Sequence, residues 1–168
     1  MGVIDTDNLA QRVSNLLLDA RKKVLQTVNH TMVVTYFEIG RMIIEEEQNG
    51  KERAAYGKQL ITELSKKLTV NFGKGFSQRN LEQMRQFYLV YSIPQTLSAE
   101  FENTDIMDNN FQLSWSHYLK LMRIDDIYER KFYEIESLKN NWSLRELNRQ
   151  YDAALSVSYT HLTLPTKA

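Results

Sequence analysis

Arg79 stands where a helix should begin. In Phe76-Ser77-Gln78-Arg79-Asn80-Leu81, Ser77 is a good N-cap and Phe76 can staple onto Leu81 four positions into the helix. A cation in the first turn opposes the aligned peptide dipoles and costs a few tenths to about 1 kcal/mol. An arriving anion would offset that cost. Gln78 and Asn80 beside it carry amide groups suited to base edges, and a guanidinium suits phosphate or a guanine edge. Lys66, Lys67, Lys74 and Arg85 would add phosphate contacts. The plainer alternative pairs Arg79 with Glu82 one turn on and leaves Gln78 and Asn80 as ordinary surface.

The same beginning occurs twice. Trp142-Ser143-Leu144-Arg145-Glu146-Leu147 also reads aromatic, Ser, any, Arg, any, Leu, so Arg145 sits at the offset of Arg79. Glu146 would complete a capping box with Ser143. A stock helix-start signature used twice would look identical, but each copy carries the cation that the dipole disfavours.

Catalytic chemistry is poorly supported. The chain has no cysteine, and its three histidines, His30, His117 and His161, are far apart, without metal-ligand spacing. Gly73-Lys74-Gly75 lacks the spacing and the preceding strand of a phosphate loop. Asp125-Asp126 followed by Glu129-Arg130-Lys131 contains the Glu-x-Lys of metal-dependent nucleases. That chemistry needs a strand, where residues two apart share a side, whereas these flanks are helical. No catalytic residue, metal site or cofactor is expected within this chain.

Composition bounds the rest. The 168 residues are 42% hydrophobic, with only 6 Gly and 2 Pro, enough for a packed core but poor material for many β-turns. The chain has no apolar run of membrane length, and Met1–Asp5 shows no basic-then-apolar leader, so a soluble cytoplasmic protein is expected. Formal net charge is zero, yet Lys51–Tyr91 holds eight basic against three acidic residues, a net of +5. Acid gathers on either side, in Glu45-Glu46-Glu47 and at Glu100, Glu102, Asp105 and Asp108. Such segregation permits a basic face on a neutral protein.

An all-α architecture of two helical lobes with helix-turn-helix-like units follows. In the first lobe, 7–94, a helix capped by Asp7 spans about 7–28, with Leu9, Val13, Leu16, Leu17, Ala20 and Val24 on one face. A break at Asn29-His30 precedes a second helix, Thr31 to Gln48, ended by Asn49-Gly50. A third runs from Ala54 to Leu68, and a fourth from Ser77 until Pro94 stops it. Periodicity fades over 95–112, which reads as an acidic linker. The second lobe, 113–155, holds helices at Trp115–Arg123, from Asp125 or Asp126 to Leu138, and from Ser143 through Tyr151. Residues 157–168 continue no pattern and resemble the translation of a transposase sequencing adapter. They are expected to be foreign, with the natural protein continuing past Ser156.

Several motifs in order carry a wider likeness. Tyr36-Phe37-Glu38-Ile39-Gly40-Arg41, Arg53-Ala54-Ala55-Tyr56-Gly57, Gly75–Leu81, Met84-Arg85-Gln86-Phe87-Tyr88, Leu113-Ser114-Trp115-Ser116-His117-Tyr118 and Trp142–Leu147 resemble the N-terminal domain of the YhcG family over about 10–155. The resemblance implies a helical domain ahead of a PD-(D/E)xK nuclease domain, and a divalent metal belonging to that absent domain alone. It implies a non-catalytic module that binds or positions nucleic acid, with DNA as the expected partner. The alternative is a protein-docking or homo-oligomerising module of the nuclease.

Overall fold

Asp5 opens the longest helix: its carboxylate accepts from the Asn8 N–H at 3.1 Å, and α1 runs unbroken from Thr6 to Asn49. The cap therefore falls two residues before the expected Asp7, which lies in the first turn. The protein is seen in a computed structural model that describes residues 5–50, 54–98 and 111–162. The break expected at Asn29-His30 does not occur. Asn and His lower helix propensity by less than about 0.7 kcal/mol each, too little to end a helix. His30 is moreover held in place, its Nδ1 lying 2.6 Å from the Phe111 carbonyl oxygen.

After Gly50 come α2 (Ala54–Phe72), a 3₁₀ turn (Lys74–Phe76) and α3 (Gln78–Ser98). α3 passes position 94, where a stop was expected. Proline has a helix-compatible φ and removes one donor, so a helix can carry it for a last turn at an energetic cost. Helices α4 (Trp115–Leu121), α5 (Ile127–Lys139) and α6 (Leu144–Leu162) follow. α6 extends through 157–162, where no continuation was expected. Extending an existing helix needs only one more bond per residue, whatever the origin of the sequence. Among the described residues every regular element is a helix, as expected. Of the expected 95–112 linker, 95–98 belongs to α3 and Phe111 to the core, while 99–110, with its four acids, and 163–168 lie outside the described residues.

The two helical groups share a core. Val33 and Phe37 of α1 and Phe87 of α3 are buried with Phe111, Tyr118 and Leu121, and with Tyr133 of α5 and Leu147 of α6. Phe87 is the hub, its ring centroid 5.1 Å from Phe111, 5.2 Å from Trp115 and 5.3 Å from Tyr118. A second cluster of Ile43, Ile61, Leu81 and Met84 joins α1, α2 and α3, and Trp115 packs against both clusters. The helices of 7–94 and those of 113–155 thus meet over one continuous aromatic seam.

Gly40 sets how closely α1 and α3 cross. A Cβ there would lie 2.1 Å from the Met84 carbonyl oxygen, so only glycine lets the two backbones meet. The other half of α1 touches little. Every residue from Asp5 to Asn29 is exposed, including Leu9, Val13, Leu16, Leu17 and Val24, the face that sequence alone would bury.

Candidate nucleic-acid interface

The start of α3 is built as its sequence demands. Gly73 takes φ +87°, turning the chain out of α2. Ser65 of α2 donates its hydroxyl to the Phe76 carbonyl at 2.8 Å, tying the turn to the preceding helix. Ser77 Oγ accepts from the Asn80 N–H at 3.3 Å, and Phe76 packs on the cluster containing Leu81, so cap and staple both form. The Asn80 side chain donates to the Gly75 carbonyl at 3.0 Å. One face of its amide is therefore spent on the turn.

Gln78 and Arg79 point outward from this frame and are exposed. The local pair of Arg79 with Glu82 does not form, and among the described residues Arg79 meets no carboxylate. It opens instead onto a groove of about 1050 Å³ shared by four parts of the chain, the end of α1 with Glu47 being one. Tyr56 and Lys58 come from α2, Arg79, Gln83 and Arg85 from α3, and Arg123 from the turn after α4. Arg85 is neutralised there by Glu47 at 2.8 Å, leaving Lys58, Arg79 and Arg123 as cations without an ion pair among the described residues. Glu82 also lines the groove, so the balance remains positive.

Arg123 was invisible to the reading of sequence alone. It lies far along the chain from Arg79, in a turn with no helix-start signature, and only the fold brings the two together. Its position is fixed from below: buried Arg130 donates from Nε and Nη2 to the Ile124 carbonyl at 3.0 and 2.6 Å. The same guanidinium lies 5.8 Å from the Tyr91 ring. Burial, with the nearby Glu134 carboxylate second, pushes the Tyr91 hydroxyl well above its ordinary range. Burial likewise raises the pKa of Glu134, opposed by Lys131 and Arg130.

The other expected contacts do not converge on this groove. Lys66, Lys67, Lys74, Gln78 and Asn80 do not line it; Lys66 is paired with Glu63 at 3.0 Å. Arg145 is exposed at the start of α6 but belongs to another part of the surface. The second helix start forms half of its capping box. Ser143 Oγ accepts from the Glu146 N–H at 3.2 Å, while the Glu146 carboxylate turns to Arg149 at 2.6 Å and Gln150 at 2.8 Å. Those bonds, from Arg149 first, hold its pKa down to about 2. A charged partner on the outer face outcompetes the backbone N–H of the cap.

Nor do the described residues fit a catalytic divalent ion. No three His, Cys, Asp or Glu side chains come together among them as ligands. Glu129 and Lys131 lie on α5, and Asp126 is that helix's N-cap, accepting from the Glu129 N–H at 2.8 Å. The ring nitrogens of His117 are taken by Ser114 Oγ at 2.6 Å and the Trp142 carbonyl at 2.8 Å.

Residues 12–156 match the family described as the DUF1016 N-terminal domain. The chain belongs to that family. The Escherichia coli (strain K12) protein named "Putative nuclease YhcG" is 42% identical over 158 aligned residues, covering 82% of this chain. The chain spans 42% of that protein's length. No solved structure matches. The DUF1016 match covers α2 to α5 in full and all but the ends of α1 and α6, so Lys58, Arg79 and Arg123 all fall inside it.

Proposed function

We propose that this domain binds and positions DNA for a nuclease, through the groove between α2, α3 and the turn after α4. The observation that carries the reading is the convergence of Lys58, Arg79 and Arg123, none in an ion pair within the described chain, around the exposed ring of Tyr56. Cations without internal carboxylates gain most from a polyanion, because binding releases the counterions of the phosphates. Tyr56 offers a stacking surface, and Gln83 an amide for a base edge or sugar. Arg79 uses the helix start as the HTH arrangement would, with α2 as the supporting helix. Gln78, Asn80 and the lysines at 66, 67 and 74 extend the contact along the backbone, and Arg145 a second one at α6. The name of the YhcG relative supports a nuclease context. We place the protein in the cytoplasm, with any divalent metal held by the catalytic part of the whole protein and none by this domain.

The test is binding of the purified chain to a short labelled DNA duplex across a salt series. Arg79→Ala and Arg123→Ala should each weaken binding and each lower the salt slope by about one unit. Binding unchanged by both substitutions at low salt would remove the groove from the interface. A duplex RNA of the same sequence run in parallel decides which nucleic acid is preferred.

A further inference from the structure

The exposed half of α1 is an arm of about 24 residues, roughly 36 Å long, carrying large aliphatic side chains that no element among the described residues covers. Leu16, Leu18, Val24 and Leu25 are 60–70% exposed, as a helix with a broad apolar stripe shows only when its packing partner is missing. The arm's spacing specifies the kind of partner. Ala10, Val13, Leu17, Ala20, Val24 and Thr27 recur at 3, 4, 3, 4 and 3, the seam of a paired helix, with two alanines that allow close approach.

Charge then selects one occupant and one direction. The arm nets acidic at its start, Asp5 and Asp7 against Arg12, and basic towards its base, Arg21, Lys22 and Lys23 against Asp19. Among the described residues none of these side chains forms an ion pair in its own chain. Two arms side by side in the same direction would set acid on acid and base on base. Reversed, they are complementary. With Val13 opposite Leu17 of the second copy, Ala10 meets Ala20 and Asp7, beside the seam, comes within reach of Arg21. We infer that the arm is a homodimerisation element that pairs antiparallel with the arm of a second copy, centred near Ser14 and Asn15. This inference does not depend on the DNA reading.

The experiment uses the whole chain. Sedimentation equilibrium should give twice the 19.8 kDa chain mass at micromolar concentration. Leu17→Glu should return it to monomer, with the helical circular dichroism kept because the site is exposed. Asp7→Lys should weaken dimerisation by on the order of tenfold, and Asp7→Lys with Arg21→Asp should restore it. The chain has no cysteine, so orientation can be read directly. Ser14→Cys should cross-link two chains under oxidation, and Asn8→Cys should not. A monomer at all concentrations, or a dimer indifferent to Leu17→Glu, would overturn the proposal. Equal cross-linking at both positions would overturn the antiparallel arrangement.

Discussion

Gly40 and Glu134 bracket what a single side chain does here. At Gly40 two effects oppose each other: alanine in a helix interior is favoured over glycine by up to about 1 kcal/mol, but its Cβ would fall 2.1 Å from the Met84 carbonyl oxygen. That neighbour is backbone and cannot swing aside, so overpacking of roughly 1–3 kcal/mol wins. Gly40→Ala should lower the melting temperature, and differential scanning calorimetry will show it. Glu134 acts through protons. Burial raises its folded-state pKa above the ordinary 4.5, so the folded protein holds this proton more tightly than the unfolded chain. The stability it contributes is complete below 4.5 and is lost as pH rises through the folded-state pKa. Denaturant midpoints taken upward from pH 4.5 should therefore fall, and Glu134→Gln should flatten that trend. No sequence pattern marks this glutamate, because its burial comes from the packing of α5 against the aromatic seam.

At the scale of elements, beginnings were more legible than ends. Ser77 and Ser143 cap the helices they were expected to cap, since a cap is a local bond between residues three apart. Ser77→Ala should cost about 1 kcal/mol, or roughly 2–4 °C in the thermal midpoint. In that variant hydrogen exchange should speed up at the Asn80 amide, which loses its acceptor. Ends and breaks depend on distant partners. α1 continues through Asn29-His30 with His30 held by Phe111, contributed from beyond α3. The apolar stripe of the arm was legible as a stripe, but periodicity cannot say whether what covers it belongs to the same molecule. The groove was half legible: Arg79 through its conflict with the helix dipole, Arg123 not at all.

For the whole molecule, the all-α class followed from composition and periodicity, whereas the joining of two expected lobes could not. Phe87, Phe111 and Tyr118 each read as an ordinary apolar position of its own segment; only their ring contacts reveal one seam. Trp115 sits in the middle of that seam, 5.0 Å from Tyr36 of α1 and 5.2 Å from Phe87 of α3. The chain has just one other indole, Trp142. A Trp142→Phe variant thus leaves a single indole, excited apart from the tyrosines, at the junction of both halves. Its fluorescence red-shift on urea titration should superimpose on the loss of ellipticity, because the optical reporter and the backbone melt in the same event. Two separated transitions would mean that the halves denature independently.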